Sequence, residues 1–184
     1  MLRRFGTLTH LTTSSAASVV APLMVDVSSK PVSVRRACAE ATLLVRAPVA
    51  RWWPADEASE AALVATAVVA GVRAAKSVSS LIPLCHSLSL DGVRVDVSRP
   101  APLAAGGLST SGAGDVAGAA VRVTVDVSTA ARTGVEMEAL AGAAAAALTL
   151  YDMLKGSVDP AALEVASVRL LRKTGGSRGD FERA

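Results

Sequence analysis

The segment Gly134 to Lys155 reads GVEMEALAGAAAAALTLYDMLK, an apolar, alanine-rich helix with charged groups only at its ends. Such a middle demands burial. Carboxylates and an ammonium at the rims of a buried helix are costly unless paired or used, so this segment marks where chemistry should sit. Asp152 and Lys155 are three apart and share a face. Glu136 and Glu138 are two apart and diverge. Glu138 and Asp152 lie fourteen residues apart, roughly 21 Å along a helix axis. The two ends cannot grip one small reacting group within a single subunit. Either the ligand is long, or a second subunit brings one end beside the other. The plainer reading of Asp152 and Lys155 is an exposed ion pair of little consequence.

With 184 residues the chain has the size of one domain. Its hydrophobic content is mostly Ala and Val, with few aromatics, so packing rests on small side chains brought close together. A net charge of +3 suits an anionic small substrate, and without aromatic stacking residues or a motif it does not suggest nucleic acid. No uninterrupted apolar run reads as a membrane span. Two cysteines, Cys38 and Cys85, are too few for a disulfide framework and point to a reducing, cytoplasmic setting. Residues 1–23 are read as a flexible arm or a targeting segment. They hold Arg3, Arg4 and several Ser and Thr with no acidic residue, which leaves the mitochondrial matrix as the alternative location.

Periodicity then divides residues 24–184. Met24 to Ser28 reads as a short strand and Arg36 to Arg46 as another. Arg51-Trp52-Trp53-Pro54 is a turn anchored on aromatics. A helix runs from Asp56 to Lys76, with Asp56 or Ser59 as its cap. Ser77 to Leu90 reads as a loop. Val93, Val95 and Val97 alternate with polar residues, as do Val121 to Val127, and both read as half-buried strands. Between them, residues 99–118 are rich in Gly, Ala, Ser and Pro and read as a surface insertion. After the long helix, Leu163 to Leu171 is a last strand and Lys173 to Ala184 a Gly-rich basic tail. The order strand, helix, strand, strand, helix, strand predicts an α+β, ferredoxin-like antiparallel sheet with helices on one face. Valine-rich strands left wet on the other face would call for a partner subunit as cover.

In order along the chain stand Met24-Val25-Asp26-Val27-Ser28, Leu81-Ile82-Pro83-Leu84-Cys85-His86, Thr133-Gly134-Val135-Glu136-Met137-Glu138-Ala139-Leu140, Tyr151-Asp152-Met153 and Gly175-Gly176. On these residues the chain resembles the MoaC family, the cyclic pyranopterin monophosphate synthases of molybdenum cofactor biosynthesis. The likeness runs from Leu8 to the C-terminus. It implies a ferredoxin-like fold assembled as a homo-hexamer, a trimer of dimers, with active sites at subunit interfaces. It implies a lyase that turns cyclised dihydro-GTP into cyclic pyranopterin monophosphate and releases pyrophosphate.

By the same resemblance the catalytic pair falls on Asp152 and Lys155. The substrate-binding set falls on His86, Glu136, Glu138 and Lys173, with Leu84, Cys85, Met137, Lys76 and Arg35 beside them, and Lys30 is a further basic match. No cofactor is required, and Mg²⁺ is left open. A Lys beside a carboxylate can serve as general acid, and Lys and Arg can neutralise a triphosphate. His86 beside Cys85 lacks the four-ligand spacing of zinc.

The chain also departs from the family. Glu60 stands in place of a Lys, Val68 of an Arg, Ser87 of a Pro and Ser177 of a tail Lys for which the adjacent Arg178 is the candidate substitute, while Arg132 replaces a Lys conservatively. A carboxylate at Glu60 in the anion site would repel the triphosphate. The alternative expectation is therefore a catalytically impaired homologue that binds nucleotide or supports an assembly.

Overall fold

The computed structural model describes residues 22–103 and 118–184. Most of the expected arm and of the 99–118 insertion therefore lies outside the described residues. Strand β1 spans Ser33–Val45, helix α1 Glu57–Lys76, a short α2 Val78–Leu81, and β2 Gly92–Val97. Then come β3 Ala101–Pro102, β4 Ala119–Ala131, α3 Glu136–Leu154, β5 Leu163–Thr174 and β6 Phe181–Glu182. The sheet runs β2-β4-β1-β5-β6, every pair antiparallel, with β3 on the free end of β4. This is an α+β architecture, with α1 and α3 laid against each other and on the sheet.

Alternation decides which face meets the helices. Val121, Val123, Val125 and Val127 of β4 pair with Leu43, Ala41, Ala39 and Ala37 of β1, and all eight are buried. The opposite face is not valine-rich. It carries Arg94 paired with Asp96 at 2.7 Å, Arg169 with Glu40 at 2.8 Å, and Arg172 with Asp126 at 3.6 Å. Among them lies Cys38, its thiol pushed up to about 11 by burial and then by the charge of Asp126. The period of two put the valines of β2 and β4 on one side. The predicted wet valine face, and the argument for a covering subunit drawn from it, are thus corrected.

Small residues let the helices close on the sheet. A Cβ on Gly71 of α1 would lie 3.1 Å from the Gly142 carbonyl and 3.1 Å from Val95. A Cβ on Gly142 would lie 3.1 Å from the Gly71 carbonyl and 3.2 Å from Val125. Ala139, Ala143, Ala146 and Ala147 complete the buried stripe of α3. Both helices are long and apolar enough to cross a membrane by length and composition. Here each has one face against the sheet or its neighbour, as core helices do.

Local chemistry sets the boundaries. The Asp56 carboxylate accepts from the Ser59 N–H at 2.8 Å and caps α1, as the sequence suggests. Trp52 is buried, donates Nε1–H to the Ala47 carbonyl at 3.1 Å and meets Trp53 edge-on.

Three expectations change. Met24 to Ser28 is not a strand, because the Asp26 carboxylate accepts from Ser28 N–H at 2.8 Å and turns the chain instead. The loop after α1 contains α2. The neck of the insertion is paired, Ala101 with Ala120 and Pro102 with Ala119, because its backbone groups complete the end of β4.

Candidate active site

Two cavities adjoin at the N-terminal end of α3. The first, about 220 Å³, is cationic: Lys30, Arg35, Arg36, Arg132, Lys173 and Arg178 border it, with Glu136 as its carboxylate. The second, about 230 Å³, is bordered by Leu84, Cys85, His86, Met137 and Glu138. Lys30, Thr133, Gly134, Glu136 and Arg178 belong to both and form the seam.

The cations arrive from separate parts of the chain. Arg35 and Arg36 sit at the start of β1 and Lys173 near the end of β5, brought together because Ala37 pairs with Lys173 and Arg36 with Thr174. β5 runs three residues beyond its predicted end, so Lys173 is a strand residue rather than part of a loose tail. Its Nζ lies 3.5 Å from Glu136 Oε1. The Arg35 side chain is buried and donates to the carbonyls of Ala131 and Arg132, each at 3.4 Å, which pins the turn that leads into α3. Arg132 donates Nε–H to the Lys30 carbonyl at 3.1 Å and ties in the N-terminal segment.

The second cavity is built for proton chemistry. Glu138 is buried, and that burial raises its carboxyl above the usual range, with the charge of Glu136 adding to the rise. Such a carboxyl is a better proton acceptor near neutrality than an exposed one. Burial also raises the Cys85 thiol, followed by the charge of Glu138. His86 Nε2 lies 2.8 Å from the Val25 carbonyl, which can only accept. Nε2 therefore carries a proton and Nδ1 is the imidazole's remaining acceptor when the ring is neutral.

The chain carries a MoaC family signature over residues 24–176. It belongs to the MoaC family. Relatives named cyclic pyranopterin monophosphate synthase match it nearly end to end. The one from Streptomyces coelicolor is 41% identical over 177 residues, covering 96% of this chain and 90% of that protein. A Roseiflexus protein is 38% identical over 174 residues, covering 95% and 96%. A Mycobacterium tuberculosis protein named cyclic pyranopterin monophosphate synthase 2 is 41% identical over 180 residues, covering 98% and 93%.

The residues that the family resemblance implies fall in different places in this chain. Arg35, Glu136 and Lys173 border the cationic cavity, and Leu84, Cys85, His86, Met137 and Glu138 border its neighbour. Asp152 and Lys155 border neither. They stand exposed at the far end of α3, with Lys155 Nζ 2.5 Å from Asp152 Oδ1. The hydrogen bond to Asp152, then its charge, raise the Lys155 ammonium above its usual range, so it stays protonated at neutral pH and gives up that proton less readily than a free lysine. Lys76 is exposed at the end of α1 and borders neither cavity.

The departures also find their places. Glu60 borders neither cavity and is neutralised by Arg99 at 2.7 Å. It is not the misplaced charge in either described cavity that the sequence suggests. Val68 packs half-buried against the core, where an apolar side chain is suited. Ser87 is exposed and outside both cavities, whereas Ser177 borders the first.

Sequence reasoning passed over Arg36 and did not give Lys30, Arg132 or Arg178 a place in the cavity. The family resemblance marked Lys30, Arg132 and Arg178 as basic matches or stand-ins without placing them, and their convergence appears once the strands are paired. Among the described residues, no three His, Cys, Asp or Glu side chains converge as metal ligands.

Proposed function

We propose that this chain is a cytoplasmic lyase of molybdenum cofactor biosynthesis that converts cyclised dihydro-GTP to cyclic pyranopterin monophosphate and pyrophosphate. The observation that carries the reading is the pair of adjoining cavities. A substrate with a ring system at one end and three phosphates at the other needs one pocket with hydrogen-bonding and proton-transfer groups and one lined by cations. The seam at Thr133-Gly134 joins two such pockets. The polyphosphate would lie in the first, with Mg²⁺ as an optional counterion, and the ring in the second.

Closing the cyclic phosphate requires a substrate hydroxyl to attack the α-phosphorus. The bond from that phosphorus to the pyrophosphate oxygen breaks, and the hydroxyl proton passes to a base. Cations around the tail stabilise the charge that gathers on pyrophosphate. Ring rearrangement needs protons moved at carbon and nitrogen, for which Glu138 is the acceptor and Lys155 the donor.

Lys155 and Asp152 are out of reach of the cavities in their own protomer, which supports a site shared between subunits. In this reading the protein is a homo-hexamer, a trimer of dimers, and a neighbour's helix end completes each site. The helices leave apolar side chains outward for such contacts, with Val69 and Leu148 each 58% exposed. The strand order, with β1 and β4 central and β2 and β5 outside them, supports a ferredoxin-like arrangement. The test is direct: purified protein with cyclised dihydro-GTP should yield the cyclic phosphate and an equal amount of pyrophosphate. Binding of substrate without product would instead support the impaired homologue.

A further inference from the structure

Arg178 stands at the tip of the loop between β5 and β6, and that loop is held from both sides. Gly175 has φ +81° and packs so closely on the Val34 carbonyl that a Cβ would collide with it. The Ser33 hydroxyl donates to the Gly175 carbonyl at 3.1 Å, and the Gly175 N–H donates to the Asp180 carboxylate at 3.0 Å. Gly179, at φ +80°, closes the turn by donating to the Gly176 carbonyl at 3.0 Å. β6 then pairs back on β5, Phe181 with Lys173. Arg178 is thus presented by a fixed hairpin.

Its position differs from that of its neighbours. Arg36, Arg132 and Lys173 border only the cationic cavity, whereas Arg178 and Lys30 border both, and Arg178 is the guanidinium of the two. Lys173 is already paired with Glu136, and Arg132 donates to a carbonyl. Among the described residues Arg178 has no carboxylate or carbonyl partner. A guanidinium in this state has its full set of donors available for a phosphoryl group. On the reading of the two cavities proposed above, the seam is where the ring portion of the substrate meets its phosphate tail. The phosphate there is the α-phosphate, the one attacked.

We propose that Arg178 binds the reacting α-phosphoryl group at the seam, while Arg36 and its neighbours hold the departing pyrophosphate. The assignment rests on the proposed function and divides the cations by role. A cation at the reacting phosphorus acts on the transition state and so affects kcat. A cation on the distal phosphates acts on ground-state binding and on affinity for pyrophosphate.

The experiment compares wild type with Arg178→Ala, Arg178→Lys and Arg36→Ala. It measures kcat, KM and inhibition by pyrophosphate, with Arg94→Ala on the opposite sheet face as a control for lost charge. Arg178→Ala should lower kcat by roughly a hundredfold, and pyrophosphate inhibition should change less than about threefold. Arg178→Lys should recover part of the kcat loss. Arg36→Ala should weaken pyrophosphate by roughly tenfold.

A kcat for Arg178→Ala within about threefold of wild type overturns the assignment, as does loss of pyrophosphate affinity equal to that of Arg36→Ala. If wild-type protein forms no product, the function proposed above fails. Equilibrium binding of pyrophosphate then still decides the division of roles: a loss in Arg178→Ala equal to that in Arg36→Ala overturns it, and a loss confined to Arg36→Ala supports it.

Discussion

Arg99 grips Glu60 with two hydrogen bonds, Nε to Oε1 at 2.7 Å and an amino nitrogen to Oε2 at 2.9 Å. The pair ties the first turn of α1 to the strand-end segment that enters the insertion. It also neutralises the charge reversal that the resemblance implies at this position. Because Arg99 is largely exposed, Glu60→Gln should cost under about 1 kcal/mol of stability. Substrate KM should stay within about twofold, since the residue borders neither cavity. Urea unfolding and steady-state kinetics check both. A large rise in KM would place Glu60 in a neighbour's site.

Lys155→Ala and Asp152→Asn should each reduce turnover by about 10²-fold or more, with the unfolding midpoint unchanged. Both side chains are exposed, so neither change touches the core. The sharper outcome comes from mixing. Lys155→Ala and Glu138→Gln subunits, each inactive alone, should regain about a quarter of wild-type activity when dissociated and reassembled together. Mixtures as inactive as their parents would mean that each site draws both ends from one chain.

The pH dependence of stability should report Glu138. Its folded carboxyl is raised above the usual 4.5, so the native state holds that proton more tightly than the unfolded chain does. The associated stability is present below pH 4.5 and is lost as pH rises through the folded value. Above that value the buried charge is a standing penalty. Glu138→Gln should therefore unfold at higher temperature than wild type at pH 7, and the difference should shrink toward pH 4. Calorimetric scans across that range check the sign. The same variant should lose turnover, since Gln cannot accept the proton.

Gly142→Val should destabilise the protein by about 2 kcal/mol, because the first carbon already meets the Gly71 carbonyl at 3.1 Å and Val125 at 3.2 Å. The outer face of α3 makes the contrast: Leu148→Ala removes an exposed side chain and should leave monomer stability nearly unchanged. Chemical denaturation of both variants separates the crossing from the outer face.

Much of this is legible in the chain. Alternation along Val121 to Val127 and Val93 to Val97 marks two strands, and Asp56 announces the start of α1. The motif around Glu136 and the Pro-Leu-Cys-His loop mark one end of the site, and residue count alone separates it from Asp152 and Lys155. The cation cluster is hidden because Lys30 and Arg36 lie far in sequence from Arg132 and from Arg178, and the three parts meet only in the folded chain. The polar sheet face escapes any reading of strand composition that does not assign each residue to a side. Met24 to Ser28 misleads because a single Asx turn outweighs weak alternation.

α3 has a last consequence, that of a ruler. Its middle is alanine and glycine, without side chains that could absorb a shift, and its rotation is fixed by backbone contact at Gly142. Residue count alone therefore sets both the span between Glu138 and Asp152 and the angle between the directions they face. Deleting one alanine would shorten the span by only about 1.5 Å but swing one end about 100° relative to the other. Removing a full heptad would nearly restore the angle while shortening the span by about 10 Å. The spacing between these two acidic residues is thus a dimension of the fold, written in helical turns.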